Sequence, residues 1–365
     1  MKALKSYILA AAVAFGAVAP ASAQQTKMLT ADKHNEYGLV YTLPVTALEF
    51  TVTARHTSYT AGPYWQYAKK FIGTDKAVAE DYDTWEILSV DGVSYGVPDR
   101  DKEYLMQLKP GALTSICVAD DGMLLAINKE VDAPAQPKTR AVADIGIKEQ
   151  VNPREYLQYV NEDFLASQST AKQAQMLSES LMEIRDAKVS LTRGTAETMP
   201  TDGRQLELML NSLSHQEAAM TAAFLGTSSS ETVTRKFTFT PSDDCREVFF
   251  RMSGFAGFVD ADDLSGDPVY ITVKVISEGE LPVDAKGEVK KLPKDAVIYN
   301  IPGAAKVSLS FKGQTLWSED VDCAQLGVQF GLAPQLFSDK KERSFAIFDP
   351  ATGALQKIAT VTSEE

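Results

Sequence analysis

Two long apolar stripes of helical period stand in the middle of the chain, with strand-like alternation on either side. The first stripe is Ala174, Leu177, Leu181, Ile184, Ala187 and Leu191. Its steps of three and four keep these side chains on one helical face. Arg185, Lys188 and Arg193 give its end the charge that suits a helix C-terminus, and Gly194 supplies a left-handed stop. Pro200 blocks continuation, and Asp202 with Gln205 three residues on resembles a capping box. The second stripe is Leu206, Leu210, Leu213, Glu217, Met220 and Phe224, ended by Gly226. The spacing predicts a helical region over 153–226, with Pro153 to Phe164 as a preface to a long hairpin.

Glu217 is a charge on an apolar stripe. With the turn near residue 198, it faces the Glu179 region, and Lys188 lies about 14 Å nearer the loop at ~1.5 Å per residue. The hairpin alone then offers it no cation. Two readings stand open. Glu217 sits at the stripe's edge or pairs with an Arg or Lys of a β region; or it is a buried functional carboxylate with a raised pKa.

Before the helices, residues 37–130 read as an N-terminal β module. Leu48, Phe50 and Val52 alternate with polar residues, and Pro44 marks an edge or a strand entry. A short helix is expected at 63–72, between Pro63 and Gly73, with Tyr64, Tyr67, Ala68 and Phe71 laid on a sheet. Asp91-Gly92 and Asp120-Asp121-Gly122 are hairpin signals. Residues 131–148 have linker composition, with protease-sensitive positions around Lys138 and Arg140. Residues 231–360 read as a C-terminal β module, with strands separated at sandwich-like spacing and Ser228-Ser229-Ser230 as a loop before them. The expected fold is α+β: two antiparallel, sandwich-like β modules flanking a long central helical hairpin. The phrase Tyr-x-(Leu/Ile)-Pro-x-x-Ala occurs at 41–47 and again at 299–305, from module duplication or from shared strand chemistry.

Residues 1–23 read as a signal peptide: Lys2 and Lys5, an apolar core from Ile8 to Val18, and Ala21-Ser22-Ala23 as the cleavage site. Removing 23 residues from 365 leaves 342, and the two lost lysines take the formal charge from −13 to −15. That acidity argues against nucleic acid and against anionic lipid. No later stretch has the length and apolarity of a transmembrane helix, so no integral membrane protein is expected. The cysteines are Cys117, Cys245 and Cys323; three buried thiols are expected, with Cys245 and Cys323 the pair if a disulfide exists.

Several motifs touch on chemistry. Gly92-Val93-Ser94-Tyr95-Gly96 fits G-x-S-x-G but lacks the strand–turn–helix context of a nucleophile elbow. Ser169-Thr170-Ala171-Lys172 fits S-x-x-K without its companion motifs, and reads as a polar first turn. Asp260, Asp262, Asp263 and Asp267 form an acidic loop, a weak calcium candidate in which Leu264 and Ile271 exclude an EF-hand. No catalytic residue, cofactor or metal site is assigned. Tyr64, Trp65 and Trp85 are candidate glycan-stacking residues, against the commoner use of aromatics as core.

Taken together, Gly-Leu-Val-Tyr-Thr-Leu-Pro (38–44), Ala-Gly-Pro-Tyr (61–64), Ile184-Arg185 running to Gly194, Phe224-Leu225-Gly226 and Ile-Tyr-Asn-Ile-Pro-Gly (298–303) resemble a domain-of-unknown-function family of exported Bacteroidota proteins. The resemblance implies a periplasmic or outer-membrane-associated location in a Gram-negative cell. It implies no chemistry. The leading expectation is a non-enzymatic envelope protein that binds or scaffolds another envelope protein. Glycan binding through the first module's aromatics is the alternative, and an unrecognised hydrolase the second alternative.

Overall fold

The computed structural model describes residues 39–106, 115–132, 151–293, 296–333, 335–338 and 343–361. The expected signal peptide and nearly all of the expected linker lie outside them. The strands are β1 (Leu39–Thr60), β2 (Tyr82–Met106), β3 (Ile116–Val118), β4 (Leu124–Ile127), β5 (Thr227–Phe239), β6 (Cys245–Ser253), β7 (Gly257–Val259), β8 (Asp267–Ser277), β9 (Val297–Phe311), β10 (Gln314–Leu332), β11 (Arg343–Phe348) and β12 (Leu355–Val361). The helices are α1 (Ala68–Phe71), α2 (Glu162–Ala166), α3 (Thr170–Arg193), α4 (Gly203–Leu225) and α5 (Gln335–Ser338). The protein is therefore strand-rich, with antiparallel sheets, one of them curled into a half-barrel, and a pair of helices.

The expectation of two separate β modules is corrected by the pairing. One sheet has the order β2-β1-β5, and another β12-β11-β4-β3. Strands from before and after the helices thus share both sheets. The third sheet, β10-β9-β8-β6-β7, is built from the C-terminal half alone. The reason is the length of β1. It is 22 residues long, and most of its side chains are buried on both faces, so it needs a partner on each side. Pro44 fits in this strand because only β2 flanks it there, at a register shift; β5 joins from Leu48 onward.

The Asp91-Gly92 hairpin does not form. β2 runs straight through, pairing Thr51 with Asp91 and Phe50 with Gly92. A continuous template in β1 overrides the local turn preference. Gly92 is there for space: a Cβ would come 2.7 Å from the Trp317 indole. The second signal holds: Gly122 takes φ +91°, and its N–H donates to the Ala119 carbonyl between β3 and β4. The Ser228–Ser230 segment is strand, not loop. Gly226 at φ +74° turns α4 directly into β5, and Ser230 Oγ lies 2.9 Å from Thr57 Oγ1.

In α3, Ala174, Leu177, Leu181, Ile184 and Leu191 are buried as the stripe predicts, while Ala187 is exposed. Asp202 caps α4, accepting from Gln205 N at 2.7 Å. The segment 63–72 is one 3₁₀ turn followed by α1, and it packs on the helix pair rather than on a sheet: Tyr64 and Ala68 join Leu177, Met220 and Phe224 in one core. A second core lies between the β1 sheet and the five-stranded sheet, joining Phe50 and Val52 to Phe250, Ile271 and Leu309. A third gathers Tyr41, Leu43, Ile127, Val297 and Phe348. There the two copies of the repeated phrase touch: Ile298 N donates to Tyr41 Oη at 2.8 Å, and Asn300 Nδ2 donates to the Pro44 carbonyl at 3.1 Å.

Candidate functional site

The edge strands β2 and β10 belong to different sheets, and both line one cleft of about 410 Å³. Gly92 and Ser94 come from β2, and Trp317, Glu319, Asp320 and Asp322 from β10. The turn after β11 closes one end with Asp349 and Thr352, joined by Gln356 of β12. Asp349 builds that turn: it accepts from Ala351 N at 2.8 Å, Thr352 N at 3.0 Å and Gln356 Nε2 at 2.7 Å. Glu319 and Asp322 make no ion pair among the described residues, and Lys306 Nζ reaches Asp320 only at 4.0 Å. The wall is therefore acidic, with Trp317 as its aromatic part. Ser94 lies in mid-strand opposite Leu48, not at a strand-to-helix turn. Gly96 is needed for packing, since a Cβ there would overlap the Pro350 carbonyl oxygen.

The residues singled out from sequence do not converge. Tyr64 is buried; its hydroxyl donates to Gln173 Oε1 at 3.2 Å and accepts from the Tyr156 hydroxyl at 3.3 Å. Burial pushes its pKa up. This removes Tyr64 as a stacking platform and makes it a core residue. Trp65, beside it, is 38% exposed. Trp85 is half-buried, covered by the His56 ring at 4.3 Å and 15°, with Gly257 and Phe258 against it.

Glu217 has its cations within the helix pair, which corrects the register expected from a symmetric turn. Arg185 Nε donates to its Oε1 at 2.8 Å, and Lys188 Nζ to its Oε2 at 2.8 Å. The link from α3 to α4 spans Gly194–Asp202 and is centred on residue 198 as expected, but the two ion pairs set Glu217 beside residues 185 and 188 rather than 179, so α4 is offset along α3. The bonds from Lys188 and then Arg185 hold the Glu217 carboxyl below the usual range, the opposite of a raised pKa.

The acidic loop is held by arginines. Arg251 donates to the carbonyls of Ala261 at 2.8 Å and Gly266 at 3.0 Å, and Arg235 reaches Asp260 at 3.4 Å. Asp263 accepts from Ser265 N, and Asp267 pairs with Lys312 at 2.9 Å. Among the described residues, no group of three or more His, Cys, Asp or Glu is gathered to hold a metal ion. Ser169 is the N-cap of α3. Cys117, Cys245 and Cys323 are free thiols; Cys323 alone is buried, and burial pushes its thiol up to about 11.

A family model described as a domain of unknown function, DUF4831, matches residues 37–356. The chain belongs to this family. No curated protein and no solved structure matches it.

One cluster in this DUF4831 chain was invisible to sequence reasoning. His56 on β1 lies between strand neighbours on both sides: its Nδ1 is 3.0 Å from Glu231 Oε1 of β5, and its Nε2 is 3.0 Å from Asp83 Oδ1 of β2. Ser58, two residues along, donates to the same Asp83 oxygen at 2.5 Å. The grouping looks like a Ser-His-acid triad, with Ser58 Oγ 3.4 Å from His56 Nε2. Its chemistry is different. An imidazole that donates from both nitrogens is imidazolium and has no lone pair for a serine proton. The bond to Glu231, followed by that to Asp83, raises the His56 pKa. The bond from Ser58, then that from His56, lowers that of Asp83. With His56 protonated, the cluster is a charged clamp across three strands. The only hint in the sequence is His-x-Ser on one strand face; its partners lie 27 and 175 positions away.

Proposed function

We propose that this is an exported, non-enzymatic protein of the cell envelope that binds a partner protein, and that the acidic cleft receives an extended, basic segment of that partner. The carrying observation is the cleft's position between two open sheet edges. Among the described residues, β2 pairs only with β1 and β10 only with β9, so each turns a row of backbone N–H and C=O groups outward. An extended peptide satisfies such groups by adding a strand, and its alternate side chains then face the cleft walls. Glu319, Asp320 and Asp322 favour lysine or arginine there. Packing of the β1 sheet on the five-stranded sheet supports a sandwich-like frame that holds both edges in place. The basic start, short apolar core and Ala21-Ser22-Ala23 site support export.

A second reading is favoured by Trp317: an aromatic wall beside carboxylates and Gln356 also suits a sugar ring. One experiment separates the two. The mature chain is titrated with an alternating Lys-Val peptide, its Glu-Val counterpart and a neutral oligosaccharide. Binding of the Lys-Val peptide alone, weakened by Asp322→Lys, supports the first reading. Binding of the oligosaccharide alone supports the second. Equal binding of both peptides sinks the charge argument. Cell fractionation with N-terminal sequencing tests export, with Gln24 expected as the first residue.

A further inference from the structure

A second concavity, of about 570 Å³, lies along α4 where it runs into β5. It falls in the size range of small-molecule sites. Its walls differ from those of the acidic cleft. Ala218 and Leu225 form an apolar floor, Ser214, Thr221 and Ser228 supply hydroxyls, and Arg185 reaches in from α3.

The ion arrangement leaves charge to spare. The Glu217 carboxylate is shared by Arg185 and Lys188, at 2.8 Å from each. Two cations and one anion sum to one positive charge, in a chain whose formal charge is −13. Arg185 spends its Nε on Glu217; among the described residues its two terminal NH₂ groups make no hydrogen bond. Those groups carry four of the five N–H donors in a planar fork that matches a carboxylate. Glu217 fixes the fork by holding Nε, so little side-chain entropy remains to be lost on binding.

We infer that this groove binds a small organic carboxylate with an apolar body, its carboxylate on the terminal nitrogens of Arg185 and its body along Ala218 and Leu225. The hydroxyls of Ser214 and Thr221 complete the carboxylate's hydrogen bonds. The inference stands apart from the acidic cleft, which is built from other residues and carries the opposite charge.

The test is a calorimetric titration of the mature chain with hexanoate, and with hexanamide as the neutral counterpart. Hexanoate is expected to bind and hexanamide to fail. Arg185→Gln is expected to weaken hexanoate at least about tenfold. Glu217→Gln keeps an Oε1 acceptor that holds Arg185 Nε but removes the negative charge lining the groove, and is expected to tighten hexanoate by about tenfold. That gain separates a ligand site from a purely structural ion pair, for which the same change brings no binding. Should Arg185→Gln fail to fold by circular dichroism, Ser214→Leu fills the groove from the exposed side of α4 and is expected to abolish binding. Two further arms, a dipeptide ending in Leu with a free or an amidated C-terminus, identify the source. Tighter binding of the free form than of hexanoate assigns the site to a peptide C-terminus; weaker binding assigns it to a free acid. No hexanoate binding at millimolar concentration overturns the inference. So does equal binding of hexanamide, or an unchanged affinity in both Arg185→Gln and Ser214→Leu.

Discussion

The acidic cleft and the helix-pair groove are of similar size and opposite charge, and they are built by opposite routes. The cleft draws Ser94, Asp322 and Gln356 from three distant parts of the chain. The groove takes its ion pairs from residues 32 and 29 positions apart. In the cleft, carboxylates sit together with little opposing charge. In the groove, Glu217 is satisfied twice over and serves to position Arg185. A site made by sheet edges offers backbone groups along a line, which suits an extended chain. A site made by a helix flank offers one charged fork over an apolar floor, which suits a small molecule.

The strongest way to break this comparison is to damage the core beneath the groove. Phe224→Ala empties a fully buried position among Tyr64, Phe71 and Leu177 and is expected to cost about 3–5 kcal/mol, read by urea denaturation. Coincident loss of helical and sheet signals places groove and cleft in one cooperative unit; separate transitions make the helix pair an independent one. Next in size is the effect of salt. The Lys-Val peptide is expected to lose about tenfold in affinity at the cleft between low salt and ~1 M, where the screening length falls to about 3 Å. Hexanoate at the better-shielded groove should change less, as parallel titrations would reveal.

The smallest effect is that of pH on stability, and its sign differs between two sites. The raised His56 pKa means that its clamp with Asp83 and Glu231 contributes fully below pH ~6.5, the unfolded histidine range, and is lost as pH rises through the folded value. The lowered Glu217 pKa means that its contribution is present above ~4.3 and is lost as pH falls through the folded value. Thermal melts of His56→Gln should therefore lie nearest to wild type at alkaline pH, and those of Glu217→Gln nearest at acid pH. A uniform offset across pH in either variant would remove that residue's titration as the cause.

Much of the helix pair was legible. Gly194, Asp202 and Gly226 report contacts within a few residues and sit where the pattern places them, whereas the stripes hold in part: Ala187 is exposed, and Leu206, Leu210 and Leu213 are only half-buried. Glu217 was singled out correctly as anomalous, but its partners were missed. A stripe carries no information about the axial offset of two helices, and an offset decides which turn of α3 meets it. The aromatics stayed ambiguous for a related reason: helical spacing says that Tyr64 faces something, not whether that is water or Phe224. Asp91-Gly92 misled more sharply. The pair is a good turn in isolation, and a 22-residue neighbouring strand removes the choice.

By itself, the sequence determined the alternation of strand-rich and helical regions, the caps and stops of α3 and α4, the acidity of the chain and the export-like pattern of its start. These follow from local backbone preference and from composition, which need no knowledge of distant partners. The tertiary structure alone decided that β1 draws β2 and β5 from either side of the helices, that the edge strands β2 and β10 line one cleft, and that His56 meets both Asp83 and Glu231. Such pairings depend on long-range register. In a sheet, register is set by the burial of every strand at once rather than by the residues of any one of them.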